Sequence, residues 1–163
     1  MHLVGRYLTV IFAVMLIACA ATSPGTATFG DTWAILPLSA QWMSDIGANW
    51  VPSAEQVLAA RDAARRRIIS DTQGLGPRRL DAWHSSSAQE ILHSWRSYRL
   101  QAYGHTDHGR RLIRLSFITL DSPNDTDWRH QFYIVMDGGS AYWQADYDPQ
   151  TKTILWWEPN GVA

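Results

Sequence analysis

The sequence predicts an α+β domain in which one main helix packs on an antiparallel meander sheet of about four to five strands. Three observations lead there. Apolar residues recur at helical spacing over residues 53–69, the period drops to two from about residue 95 onward, and Gly, Asp and Asn clusters divide that second half into short runs. A length of 163 residues favours a single domain, and 46% hydrophobic with 18% charged residues and one Cys excludes a disordered, collagen-like or disulfide-stapled chain. The formal net charge of −1 carries no electrostatic footprint for nucleic acid. Nine Trp, and 13 Arg against one Lys, are the two unusual counts.

Residues 1–18 are expected to be a signal peptide. His2 and Arg6 precede an apolar run from Tyr7 to Ile17 and then small residues, the order of an export signal, in a run too short to span a bilayer comfortably. Leu16-Ile17-Ala18-Cys19 resembles the bacterial lipobox, in which cleavage before the Cys leaves a thiol that carries a diacylglyceryl group. The chain's only Cys stands there, and a lone Cys is otherwise hard to place in an oxidising compartment. Ordinary cleavage at Ala18-Cys19-Ala20, giving a soluble periplasmic or secreted protein, is the alternative. Cleavage before Cys19 removes Arg6 and leaves 13 basic against 15 acidic residues, a net charge of −2. Ala20 after the Cys, rather than Asp, resembles lipoproteins sent to the outer membrane, so the membrane partner is expected through a lipid anchor at Cys19. Residues 19–31 then form a lipidated Cys and flexible tether, small, polar and Pro/Gly-bearing, and 32–163 one α+β domain.

Within that domain, Thr32 to Leu38 is a short strand confined by Pro37 to an edge or strand end. Ser53, with Gln56 three residues on, forms a capping-box pattern at the start of a helix running to Ile69. Val57, Ala60, Ala64 and Ile68 share one stripe with Leu58 and Ile69 beside it, and Arg61, Arg65, Arg66 and Arg67 fall mostly outside it. Ser70 to Ser87, with Gly74, Gly76 and Pro77, is a long connection, followed by a short helix from Ala88 to His93 capped by Ser86 or Ser87. Strands follow near 95–104, 111–120, 130–137, 141–147 and 153–158.

Two hairpin registers follow. A turn at His105 to Gly109 sets Tyr98, Leu100 and Ala102 against Ile113, Leu115 and Phe117, leaving Arg99, Gln101, Tyr103, Arg114 and Ser116 on the other face. A two-residue loop at Gly138-Gly139 sets Met136, Ile134 and Phe132 opposite Ala141, Trp143 and Ala145, with Tyr133, Val135, Tyr142, Gln144 and Asp146 outward. One face then packs on the helix while the other displays Arg, Gln and Tyr. Trp156 and Trp157 are adjacent, so in a strand only one can enter the core.

Asp137-Gly138-Gly139 followed by Tyr142, Tyr147-Asp148-Pro149, Thr151 and the closing Asn160-Gly161-Val162-Ala163, together with Trp50-Val51-Pro52-Ser53, resembles a family of small uncharacterised exported bacterial proteins. The resemblance covers about residues 48–163. It implies a cystatin-like domain, a helix wrapped by an antiparallel sheet, and brings no catalytic residues with it.

Candidate chemistry is sparse. His105, Asp107 and His108 at a hairpin tip lack a fourth ligand and read as turn residues rather than a metal site. Asp121, Asp125 and Asp127 lie in an oxygen-rich loop without the Gly and terminal Glu of an EF-hand, so a plain loop is expected over a calcium site. Asp81, His84 and Ser85 to Ser87 hold the residue types of a hydrolase triad but sit too close in sequence for its geometry. Residues 61–79 carry six basic against two acidic positions and 121–163 seven acidic against two basic, an asymmetry read as solvated surface that also suits steering of a charged partner. No catalytic residue and no cofactor is expected. The expected function is a non-enzymatic periplasmic protein-binding domain of inhibitor or immunity type, its partner surface being Arg99, Tyr103, Arg114, Tyr133, Tyr142 and Gln144, since Tyr and Arg dominate interface hot spots. The alternatives are a small-ligand receptor or enzyme with a pocket between helix and sheet, near His130 or Asp146, and a structural envelope protein.

Overall fold

Apolar alternation on one face of the strands and a helical apolar stripe bring sheet and helix together as expected. In the computed structural model, which describes residues 28–120 and 127–161, the order is β1 (Thr28–Phe29), β2 (Trp33–Ile35), β3 (Ala48–Trp50), α1 (Ala54–Thr72), α2 (Ala82–His93), β4 (Arg99–Asp107), β5 (Arg110–Ile118), β6 (Tyr142–Asp148) and β7 (Thr153–Pro159). The signal segment, Cys19, most of the tether, Asp121 and Asp125 lie outside the described residues. The fold class is therefore α+β, with an open, mostly antiparallel sheet of seven strands and two helices among the described residues. The sheet has more strands than the four to five expected, and the second, short helix expected over 88–93 is longer, Ala82–His93.

The sheet runs β1-β2-β4-β5-β6-β7, with β3 also on the outer side of β4. It is not a pure meander, because β2 pairs β4 in parallel, Trp33 opposite Leu100 and Ile35 opposite Ala102. Thr28–Phe29 pairs β2, so the sheet takes in part of the stretch expected to be tether. The β4–β5 register matches the expectation, Leu100 facing Phe117 and Ala102 facing Leu115.

The segment 130–137 is not a strand. β6 is bonded by β5 on one flank, Trp143 opposite Phe117, and by β7 on the other, Ala145 opposite Trp157, so no edge of β6 is left for it. Gly138 and Gly139 instead donate to the Gly161 carbonyl, and a 3-10 turn over Gly139–Ala141 feeds β6. Phe132 is buried, but Ile134 and Met136, expected in the core, are 52% and 81% exposed.

The main core lies between the helices and the inner face of the sheet. Val57, Ala60, Ala64 and Ile68 of α1 and Ile91 of α2 meet Leu100, Leu115, Phe117, Trp143 and Trp157, with Phe117 stacked on Trp143 at 3.8 Å. Leu58, expected beside that stripe, is exposed. The Ser53 capping box is formed in both directions. α2 begins six residues earlier than expected, because Asp81 rather than Ser86 or Ser87 is its cap, accepting from the His84 amide at 2.8 Å. Burial pushes the Tyr98 hydroxyl up to about 12, with the nearby Glu90 charge adding to it.

Arginines of α1 and the following loop close the open edge of the sheet. Arg67 donates to the Ile154 carbonyl at 2.7 Å and Arg78 to the Trp157 carbonyl at 2.6 Å, occupying acceptors of β7 that would otherwise invite another strand. Arg67 is held by the buried Asp71, which also accepts from Trp157 Nε1 at 2.8 Å. A Cβ at Gly76 would stand 1.7 Å from that carboxylate, so only Gly passes there. Where Trp50 crosses Gly104 a Cβ would likewise stand 2.3 Å from the indole.

Candidate binding cleft on the outer face

The strand period dictates that Gln101, Tyr103, Arg114, Ser116, Tyr142, Gln144, Asp146 and Trp156 share the outer face, and they do. That face is not open, as expected, but largely covered. Leu36, Met43 and Phe132 pack on Tyr103, and Trp128 packs with Tyr142 and Ile118, so that Tyr103 and Tyr142 are only 3% and 5% exposed. Apart from a short 3-10 turn at Asp127–Arg129, the cover lacks regular structure, and it is held by polar brackets. Gln101, fully buried, donates to the carbonyls of Trp128 and Gln131 and accepts from the Tyr133 amide. Asn160 donates to the Val135 carbonyl at 2.7 Å. Ser116 Oγ, buried nearby, has no hydrogen-bond partner among the described residues.

Between this cover and β5, β6 and β7 lies a cleft of about 490 Å³, lined on the sheet side by Tyr103, Arg114, Tyr142, Gln144, Trp156 and Glu158. Its opposite wall is apolar, formed by Ile46, Phe132, Ile134 and Val135. A second depression of about 430 Å³ adjoins it, sharing Phe132 and Ile134 and bounded by Trp42 and Tyr133. Trp42 is 45% exposed and sits at φ 72°, a left-handed conformation that a bulky L-residue adopts only under constraint.

One network fixes the cleft floor. Buried Asp146 accepts from Arg114 Nε at 2.6 Å and Nη2 at 3.0 Å, and from Trp156 Nε1 at 2.8 Å, and its Oδ1 lies 3.0 Å from His105 Nε2. Arg114 Nη1 donates to Gln144 at 3.2 Å, Gln144 donates to the Tyr142 hydroxyl at 2.6 Å, and the guanidinium lies 4.9 Å from the Trp156 ring. Burial pushes the Asp146 carboxyl up, but the hydrogen bonds from His105 and Arg114 and the Arg114 charge outweigh it and hold it below the usual carboxylate range. Burial likewise opposes the charge on Arg114, and Asp146 raises its pKa on balance. Burial takes the Tyr103 hydroxyl to about 12, keeping it a neutral donor.

Four of the six residues expected at a partner surface, Tyr103, Arg114, Tyr142 and Gln144, thus line one cleft. Tyr133 belongs to the cover and the adjoining depression, and Arg99, opposite Ile118, stands apart from both. The space between helix and sheet, where the alternative reading puts a pocket, is filled by the core, and His130 lies against Phe29 at another edge. Of the tryptophan pair, Trp157 is in the core and Trp156 in the cleft. His105 turns toward Asp146 while the His108 side chain is 94% exposed, and among the described residues no three or more His, Cys, Asp or Glu side chains are arranged to hold a metal ion.

Sequence reasoning missed a cluster beside the cleft. His84 lies with Nδ1 2.8 Å from Asp81 and Nε2 2.8 Å from Glu158, while Arg78 donates to Glu158 at 3.0 Å. It ties α2 to β7. Ser86 Oγ donates to the Trp83 carbonyl, so the triad residue types serve capping and cross-linking. The Asp81 to His84 spacing was a legible cap signal, whereas nothing local pointed to Glu158. Trp42 carried no signal beyond its residue type. No helix among the described residues is long and apolar enough to cross a membrane.

No protein-family model, no curated protein and no solved structure matches the chain.

Proposed function

We propose that this chain is an exported lipoprotein, anchored in the outer membrane through Cys19, whose domain faces the periplasm and binds a protein partner at the outer-face cleft without catalysing a reaction. The export part rests on the signal-like residues 1–18 and the lipobox-like Leu16 to Cys19. The binding part rests on one observation: Tyr103, Arg114, Tyr142 and Gln144 converge on a cleft whose rim carries exposed apolar side chains, Ile134 and the strained Trp42. Exposed Trp beside a pre-formed hollow is the usual composition of a hot spot. An inhibitor or immunity role for the partner contact, and the likeness to cystatin-like domains suggested by a long helix across an antiparallel sheet, belong to the same proposal.

A photo-crosslinking side chain at position 134, in the living envelope, is expected to give a discrete protein adduct, while the same group at position 75, where Leu75 is 78% exposed on the helix side, gives none. Equal labelling from both positions, or none from either, overturns the partner site. Cys19→Ser is expected to abolish palmitate incorporation and release the protein from the membrane; unchanged membrane association overturns the anchor. A small-ligand receptor is the second reading, favoured by the cleft volume of about 490 Å³, within the usual range for ligand pockets.

A further inference from the structure

The cleft floor holds more hydrogen-bond donors than the protein itself uses. A guanidinium carries five N–H groups. Arg114 directs three of them to its neighbours, Nε and Nη2 to Asp146 and Nη1 to Gln144, which leaves one hydrogen on each Nη. Tyr103 stands directly opposite Arg114 in the β4–β5 register and lines the same cleft. Its hydroxyl makes no hydrogen bond to another described residue and is not among the buried polar atoms left without a partner, so it opens onto the cleft. The two remaining Arg114 N–H groups and the Tyr103 hydroxyl thus belong to side chains that line one solvent-accessible cleft. Solvent meets these donors in the free protein, and an acceptor on a ligand can take its place there.

The arginine is also held in advance. Asp146 fixes it from behind, Trp156 covers one side, and Gln144 is itself anchored to Tyr142. An arginine braced in this way recognises an acceptor without losing further rotamer freedom.

Charge decides which acceptor. Arg114 is already matched by Asp146, and the second cleft carboxylate, Glu158, is matched by Arg78 at 3.0 Å. A carboxylate ligand would meet a floor whose positive charge is spent and would lie near two carboxylates, whereas a neutral carbonyl meets only the free N–H and O–H groups. The facing wall of Ile46, Phe132, Ile134 and Val135 suits an apolar side chain.

We propose that the cleft takes an apolar residue of the partner polypeptide together with its neutral amide carbonyl, the oxygen accepting from Arg114 Nη and the Tyr103 hydroxyl and the side chain lying against Ile46 and Ile134. This rests on the reading of the cleft as the partner site. The test uses the full chain in detergent micelles, isotopically labelled so that the Arg114 Nε–H signal and the amides of residues 132–135 are followed by NMR. N-acetyl-leucinamide, N-acetyl-leucine and N-acetylglucosamine serve as probes. The amide is expected to shift these signals saturably and to bind about tenfold more tightly than the carboxylate, and Tyr103→Phe to weaken it by about tenfold through loss of one donor. Ile134→Ser, on the exposed wall, is expected to weaken it without disturbing the fold. Tighter binding of the carboxylate or the sugar, or no saturable shift with the amide, overturns the proposal. A crosslink from position 134 without any such shift overturns the carbonyl assignment and leaves the partner site standing.

Discussion

The two faces of this sheet are built by different means. On the inner face, Leu100, Leu115, Phe117, Trp143 and Trp157 bury apolar surface against the helices, and nearly every contact follows from strand alternation meeting a helical stripe. On the outer face, mostly irregular segments are held down by Gln101 and Asn160 over a floor set by the Asp146 network. Hydrophobic burial is non-directional and tolerates substitution by groups of similar volume, whereas a buried amide or ion pair depends on each partner being present. The contrast teaches why the cleft lies where it does: a cover fastened at a few polar points leaves a gap between fasteners, and a close-packed helix layer does not.

The largest expected effect tests the inner face. Trp157→Ala removes a fully buried indole and one of the donors to Asp71, and is expected to cost about 3–5 kcal/mol in denaturant unfolding; a cost below about 1 kcal/mol would show that the inner core does not depend on it.

Next comes the direct contrast between faces. Gln101→Leu keeps the volume roughly constant but leaves two carbonyls and an amide of the cover without their partner, and is expected to cost about 2–3 kcal/mol. Leu115→Met, as volume-conserving a change on the inner face, is expected to cost less than about 1.5 kcal/mol. Hydrogen exchange should locate the Gln101→Leu loss in residues 128–135 while β4 and β5 stay protected. Uniform loss of protection would sink the idea that the cover is a separately fastened layer.

A smaller effect appears in acid. Burial opposes ionisation of Asp148 at the end of β6, but Arg110 and the amides of Gln150 and Thr151 bring its pKa down to about 2. Asp146 is also lowered. A folded pKa below the unfolded one means that stability is complete above about pH 4 and is lost as pH falls through the folded value. Asp148→Asn should therefore flatten the stability profile between about pH 4 and 2, leaving the share due to Asp146 on the outer face. An unchanged acid limb would remove Asp148 from the account.

The smallest effect is at Ser116. Its buried hydroxyl has no partner among the described residues, so Ser116→Ala is expected to be neutral or to stabilise by up to about 1 kcal/mol, measured by the unfolding midpoint. A clear destabilisation would mean that the hydroxyl is bonded after all.

Legibility followed the same division. The Ser53 capping box, the Val57 to Ile68 stripe and the β4–β5 register were readable because each depends on residues near in sequence. The apolar alternation of residues 132–136 suggested a strand just as strongly. It failed because β5 and β7 already take both flanks of β6, a competition between distant segments that periodicity does not record. Tyr103, Arg114, Tyr142 and Gln144 were readable as one face, yet not as a cleft, because the cover that makes it one is fastened from Gln101 and Asn160.

The sequence by itself determined the α+β class, the main helix and its cap, and the parity of β4, β5 and β6, since backbone geometry ties all of these to local spacing. Only the tertiary structure decided that Gln101 is a buried bracket, that Arg114 is braced by a carboxylate 32 residues away, and that His84 reaches Glu158. The physical reason is that the free energy of a polar side chain depends on the partner it meets, and the chain brings that partner from far along the sequence.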